Sequence, residues 1–295
     1  MLNTTALLTD RYELTMLQAA RHSGTADRRC VFEVFTRHLP TGRRYGVVAG
    51  TGRVLEQIQN FRFDESTIAW LGDQKVVDAH TLDWLANYKF NGNISGYREG
   101  EIYFSHSPVL QIESTFAEAV LLETLILSIL NYDSAVASAA SRMVTAANGR
   151  YLAEMGGRRV NEHSAVAAAR AAYIAGFDAS SNLEAGRSFG VPTMGTAAHA
   201  FTLLHDSEEQ AFKAQLETFG EKTTLLVDTY NIEAAVRKAI ALAPNLGAVR
   251  IDSGDLGVEV KRVRALLDSL GAKQTKITVT NDLDEFAIAA LAAAP

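Results

Sequence analysis

Gly247-Ala248-Val249-Arg250-Ile251-Asp252-Ser253-Gly254-Asp255-Leu256 reads as a short apolar strand entering a turn, with one arginine and two carboxylates delivered at its C-terminal end. Substrate chemistry in α/β folds gathers at such strand ends. Upstream, Val191-Pro192-Thr193-Met194-Gly195-Thr196-Ala197-Ala198-His199-Ala200-Phe201 makes a second passage from strand to turn, carrying a threonine and a histidine. Together the two stretches point to a site for an anionic, phosphorylated substrate.

Working outward, strand patterns at 176–181, 191–196, 223–228, 248–252 and 276–280 alternate with helical ones such as 232–243 and 258–270. Such alternation predicts a parallel sheet, open or closed into a barrel. Five units fall short of an eight-fold barrel, which takes about 250 residues by itself. The sequence also stops at Ala292-Ala293-Ala294-Pro295, directly after a helical stretch. The expectation is therefore an irregular α/β barrel, incomplete at its C-terminal end. Before it, a helical pattern at 9–22, strands at 30–36 and 45–49, helices to about 88, and strands at 93–98 and 109–113 suggest an α+β unit. The expected division is an N-terminal α+β domain at 1–113 and a barrel domain at 114–295. Its first segment, 115–147, is helical and apolar on several faces, as for helices sandwiched between layers.

With 295 residues, 47% hydrophobic and 21% charged, the chain can bury a large core. Its formal net charge of -6 argues against nucleic acid or an anionic membrane surface as partner, since either needs a basic patch. Cys30 is the single cysteine, so no intrachain disulfide forms and a reducing compartment fits. The opening Met1-Leu2-Asn3-Thr4-Thr5 lacks the basic flank and apolar core of a secretory signal, and the apolar run at 119–130 is too short for a bilayer. These features predict a cytoplasmic protein.

Each expected strand end finishes in polar residues: Ser180, Ser181 and Asn182; Thr196 and His199; Asp228 and Tyr230; Arg250 and Asp252; Asn281 and Asp282. Any of the short polar ones could simply cap a helix, but arginine and histidine are poor caps. Arg250 offers a planar fork of donors for a carboxylate or phosphate, or a salt bridge to Asp252 or Asp255. Asp252 and Asp255 could hold Mg²⁺ together with substrate phosphates, orient ribose hydroxyls, or position a histidine. His199 is a candidate nucleophile or acid/base, against a structural histidine. Arg158-Arg159 is a phosphate clamp or a solvated pair, and Tyr12 is by default a packed helix residue. No GxxxxGK[ST], HExxH or clustered Cys/His occurs, which removes support for Walker-type and zinc-hydrolase chemistry.

Taken in order, these stretches resemble the nicotinate phosphoribosyltransferase family. Leu8-Thr9-Asp10-Arg11-Tyr12-Glu13-Leu14-Thr15-Met16 is similar to its opening TD-x-Y-x-L-T-M. Phe32-Glu33-Val34-Phe35, Gly96-Tyr97-Arg98-Glu99-Gly100-Glu101 and Leu121-Leu122-Glu123-Thr124 resemble its next signatures. The stretch from Met194 to Phe201, Val227-Asp228-Thr229-Tyr230, the stretch from Val249 to Leu256, and Asn281-Asp282-Leu283-Asp284-Glu285 complete the series.

The resemblance implies a homodimeric enzyme that converts nicotinate and phosphoribosyl pyrophosphate to nicotinate mononucleotide and pyrophosphate, with ATP hydrolysis coupled and Mg²⁺ required. His199 matches the histidine that ATP phosphorylates, with Asp252 and Asp255 orienting it or the metal. Thr196 and Arg250 match the nicotinate pocket, and Tyr12 an aromatic that stacks on the pyridine ring across a dimer interface. Arg159, Asn281 and Asp282 are further implied substrate contacts. Nicotinamide-using relatives carry Asp where Ser181 aligns, so a neutral Ser181 beside Arg250 should favour the acid. Ala179-Ser180, where the family has Gly-Thr, and Asn161-Glu162-His163 after the arginine pair depart from its pattern. Family members continue past this point into a Gly-rich turn that cradles the 5′-phosphate. The rival expectation is a truncated, non-catalytic paralogue that binds nucleotide or pairs with a full-length subunit. Quinolinate transfer is a third, needing more cationic groups.

Overall fold

The structure is a computed structural model and describes residues 4–293. Residues 1–3 and 294–295, on which the expectations about a leader and about truncation partly rest, lie outside the described residues. The chain packs as two compact units. The first runs to Ser141 and resumes over Glu154–Val191; the second comprises Arg142–Ala153 and everything from Pro192 onward. Packing thus divides the chain elsewhere than the architectural change expected at residue 113. The reason is that Ala117, Leu121, Leu122, Leu125 and Ile126 bury themselves in the same apolar core as Leu14, Leu17 and Ile112.

In the first unit, helix Arg11–His22 presents Leu14, Leu17 and Ala20 on one stripe, and all three are buried. Strands Arg29–Val34, Leu110–Thr115 and Asn93–Gly96 form an antiparallel sheet with Leu110–Thr115 in the middle. Helices Thr51–Gln59, Glu65–Asp73 and Ala79–Ala86 fill the connection before it. The expected strand at 45–49 shrinks to Gly46–Val47, which pairs with a strand the sequence did not suggest, Ile102–Tyr103. The long helical stretch breaks after Phe116–Val120 and continues as the 25-residue helix Glu123–Ala147. No helix among the described residues is long and apolar enough to cross a membrane, and Cys30 is a free thiol.

The second unit is α/β, as the sequence predicts. Strands Thr224–Leu226, Ala248–Ile251 and Lys276–Val279 form a parallel sheet with Ala248–Ile251 in the centre. Side chains alternate along a strand, so one face carries Leu225, Val227, Val249, Ile251 and Ile277. These pack with Val236 and Ile240 of helix Ile232–Leu242 and with Val263 and Leu267 of helix Leu256–Ser269. Each fully buried aliphatic side chain contributes about 1.5–3 kcal/mol. Asn231 starts the first of these helices by accepting the Ala234 N–H at 2.9 Å, the capping role weighed for such residues.

Two of the five expected parallel strands do not join this sheet. Residues 191–196 run extended with only an isolated bridge at Thr193, because Pro192 has no N–H to give a ladder. The strand expected at 176–181 is reduced to Ala179–Ser180, in the first unit.

Candidate active site

The same alternation that buries Val249 and Ile251 places Arg250 and Asp252 together on the opposite face of the sheet. Register extends the rule to the neighbours. Leu226 and Thr278 lie beside Arg250, so Asp228 and Thr280, two residues further on, project on that face just past the strand ends. Four polar side chains from three adjacent strands therefore converge.

Arg250 is the hub. Its Nη1 donates to Thr196 Oγ1 at 2.8 Å and to the Ala197 carbonyl at 3.0 Å, and its Nε donates to Thr280 Oγ1 at 2.8 Å. Its Nη2 lies 3.1 Å from Asp252 Oδ1, and the side chain is 13% exposed. The salt-bridge alternative for Arg250 thus holds with Asp252. Four of five N–H groups are engaged, so the guanidinium offers a ligand one Nη2–H and its charge rather than an open fork. Thr280 receives the Nε–H, and its own proton goes to Asp252 Oδ1. Burial opposes ionisation of Asp252, but the Thr280 hydrogen bond and the Arg250 charge outweigh it and hold the carboxyl below its ordinary value.

His199 opens the short helix His199–Leu204. Its Nδ1 is 3.1 Å from Thr229 Oγ1. Its Nε2 faces two carboxylates, Asp228 Oδ1 at 3.8 Å and Asp252 Oδ2 at 3.7 Å. The Asp228 side chain is buried, and its Oδ2 accepts the Asp252 N–H at 2.8 Å and the Ser253 hydroxyl at 2.7 Å. Its Oδ1 has no hydrogen-bond partner, which leaves that oxygen to the imidazole or to a ligand. The imidazole itself is 40% exposed, so an incoming group can reach it.

Asp252 therefore joins His199 to Arg250, with Thr196 on the far side of the guanidinium. Asp255 is placed differently: it caps helix Leu256–Ser269 by accepting the Val258 N–H at 3.2 Å. With Asn281, Asp282, Gly254 and Leu283 it lines an open cleft of about 430 Å³. Asn281 Oδ1 accepts the Asp282 N–H at 2.8 Å.

Tyr12, Arg159 and Ser181 belong to the first unit. Tyr12 is 44% exposed, not the packed helix residue of the default reading, and its hydroxyl donates to Glu123 Oε1 at 3.0 Å. The opening motif thus meets the Leu121–Thr124 motif directly. Arg159 is exposed at the end of the 3-10 turn Gly156–Arg158. Ser181 is exposed, and its N–H donates to the Glu154 carbonyl at 2.9 Å. Its neighbour Ser180 is buried and donates to Glu154 Oε2 at 2.8 Å.

Three residues of the cluster were not singled out from sequence as site residues: Asp228, Thr229 and Thr280. Asp228 and Thr229 sit in a motif already quoted, and the period-two rule applied past the strand end would have found Asp228 and Thr280. Among the described residues, no group of three or more His, Cys, Asp or Glu could by itself hold a metal.

A family profile described as nicotinate phosphoribosyltransferase (NAPRTase) N-terminal domain matches residues 7–131. Over 98% of its length the chain is 58% identical to the nicotinate phosphoribosyltransferase pncB1 of Mycobacterium tuberculosis, of which it covers 66%. Over 96% it is 34% identical to the nicotinate phosphoribosyltransferase of Bacillus subtilis, of which it covers 59%. Among solved structures, human nicotinic acid phosphoribosyltransferase superposes with a TM-score of 0.86 at 27% identity, covering 96% of this chain and 70% of that one. The chain thus spans from about three fifths to just under two thirds of the length of these curated relatives.

Proposed function

The chain belongs to the nicotinate phosphoribosyltransferase family, and from that premise we propose that it forms nicotinate mononucleotide and pyrophosphate from nicotinate and phosphoribosyl pyrophosphate. ATP hydrolysis is coupled to this transfer through a phosphorylated His199. The observation that carries the reading is the placement of His199 Nε2 between Asp228 and Asp252 while Asp252 also holds Arg250.

The two carboxylates keep the ring proton on Nε2, so the lone pair is on Nδ1. Thr229, a hydroxyl, can turn to leave that nitrogen open. Nδ1 attacks the γ-phosphorus of ATP, the bond to the bridging oxygen breaks, and its electron pair leaves with ADP. The positive charge on the phosphorylated ring is stabilised by Asp228 and Asp252, and no adjacent base is needed because no proton has to leave the nucleophile. In the transfer step the pyridine nitrogen bonds to the anomeric carbon as the carbon–oxygen bond to pyrophosphate breaks. Charge builds on sugar and leaving group, so positioning and electrostatics do most of the work.

Mg²⁺ fits this donor set as an ion held by one or two carboxylates plus substrate phosphates. The unpartnered Asp228 Oδ1 and Asp252 would supply the protein oxygens, and the ion would neutralise phosphate charge. Asp255 acts through the helix start it caps. Arg250 and Thr196 select the acid, with Ser181 leaving the position neutral, and Tyr12, Arg159, Asn281 and Asp282 complete the substrate contacts. A homodimer in the cytoplasm is the implied working form.

Assays with nicotinate, nicotinamide and quinolinate supplied separately test the proposal. Nicotinate should be the preferred acceptor and ATP should accelerate it; preference for the amide would overturn the acid assignment. Thr280→Val keeps the shape of the side chain and deletes both of its hydrogen bonds. It should lower kcat/KM about tenfold, the worth of one charge-assisted hydrogen bond. An unchanged kcat/KM would show that Arg250 and Asp252 hold each other unaided.

A further inference from the structure

Glu13 is fully buried in the first unit, an unusual place for a carboxyl in the first turn of a helix. Its Oε1 accepts the Thr124 N–H at 2.9 Å, at the start of helix Glu123–Ala147, and lies 2.6 Å from the Thr124 hydroxyl. Its Oε2 has no hydrogen-bond partner. The same Thr124 hydroxyl is also 2.8 Å from Asp10 Oδ2.

Counting protons decides what this arrangement requires. A threonine hydroxyl has one hydrogen and cannot donate to two carboxylates at once. If both acids were ionised, one of the two contacts would set a bare oxygen against a negative one. Both contacts of the Thr124 hydroxyl are satisfied when Glu13 carries a proton, donates it to Thr124 Oγ1, and Thr124 donates to Asp10. Glu13 is the buried member and so the one that desolvation neutralises. Burial, and then the charges of Glu123 and Asp10, push its carboxyl up to about 7, although the Thr124 bonds pull the other way.

The other groups packed around it do not supply a counter-charge. On the neighbouring helix Phe116–Val120 the acid is Glu118, bonded to Ser114 and Asn91. Helix Ala79–Ala86 carries Asp83 and His80, and His80 is bonded to Arg21. Arg11 is exposed at the start of the Glu13 helix. Tyr12, adjacent in sequence, reaches the residue before Thr124 at the same helix end through its bond to Glu123. Ionised, Glu13 would repel both Asp10 and Glu123, the two acids that hold this bracket.

We propose that Glu13 is a positioning residue: as the proton-bearing end of a Glu13–Thr124–Asp10 chain, it locks the two helix starts together and fixes the pose of the Tyr12 ring. This rests on the reading of Tyr12 as a substrate contact. The lock is complete when Glu13 is neutral. A carboxyl whose folded value is raised lends stability that is full below its ordinary value near 4.5 and is lost as pH rises through about 7.

Two measurements on the purified protein decide the matter. In steady-state kinetics, KM for nicotinate should rise about fivefold between pH 6 and pH 8, at the lower end of ordinary coupling between sites, with little change in kcat. Glu13→Gln, which has no ionisable proton at this position, should remove that step; Thr124→Val should hold KM high at every pH. By NMR with ring-¹³C tyrosine, the Tyr12 resonance, assigned by its loss in Tyr12→Phe, should titrate with a midpoint near 7 in the wild type and not in Glu13→Gln. A Tyr12 signal without that titration, or a KM step that survives in Glu13→Gln, overturns the inference and leaves the proposed reaction standing. A wild type that makes no mononucleotide overturns the reaction, and the NMR titration still decides the role of Glu13.

Discussion

Replacing His199 with asparagine should abolish the stimulation of mononucleotide formation by ATP while leaving slow, uncoupled transfer. Asparagine keeps a polar group near Thr229 but has no nitrogen that can accept a phosphoryl group. The rate at saturating ATP should fall to the ATP-free rate, a loss on the order of 10²-fold, at the low end of what a positioned imidazole contributes. Steady-state rates with and without ATP give the answer. Coupling that persists in His199→Asn would remove the phosphohistidine from the account, whereas equal loss of coupled and uncoupled rates would make His199 a general structural element of the pocket.

Arg250→Lys is the second large effect. One guanidinium satisfies Thr196, the Ala197 carbonyl, Thr280 and Asp252 from three nitrogens in a plane, and a lysine ammonium, with three donors on one nitrogen, cannot reach all four. Leaving such half-buried partners unpaired costs on the order of 1 kcal/mol or more each. With two of them lost, kcat/KM for nicotinate should fall roughly 10²-fold or more. Discrimination against nicotinamide should shrink as well. Because Arg250 helps hold the Asp252 carboxyl below its ordinary value, the stability Asp252 lends is present above that value and lost as pH falls through the lowered one. The variant should therefore lose activity at a higher pH on the acid side than the wild type. Equal losses toward acid and amide would mean that Arg250 serves the scaffold alone.

Much of this site was legible before any coordinates. Leu225, Leu226 and Val227, and likewise Val249 and Ile251, form apolar runs that stop at a polar residue, the pattern of strands that feed a catalytic face. Once two such strands run parallel, period-two alternation puts Arg250 and Asp252 on one side. The failures have physical reasons too. Residues 191–196 look like a strand by hydrophobicity, but Pro192 removes a ladder donor. Asp255 and Asp252 are equivalent by composition, and only the turn geometry that aims Asp255 at the Val258 N–H separates a cap from a member of the cluster. Thr280 is an ordinary strand residue until its neighbour across the ladder is known to be arginine. Glu13 stands where acids usually favour a helix start, and nothing in the sequence reveals that its carboxyl is buried against Thr124 and shares a proton with it.

The most direct measurement is the fate of the γ-phosphate. Incubating the protein with γ-³²P-labelled ATP and Mg²⁺, followed by alkaline digestion and peptide mass spectrometry, should place the label on the imidazole of His199. Nicotinate and phosphoribosyl pyrophosphate should then discharge it. Label on another residue, or ATP-stimulated mononucleotide formation with no phosphorylated histidine, would contradict the account.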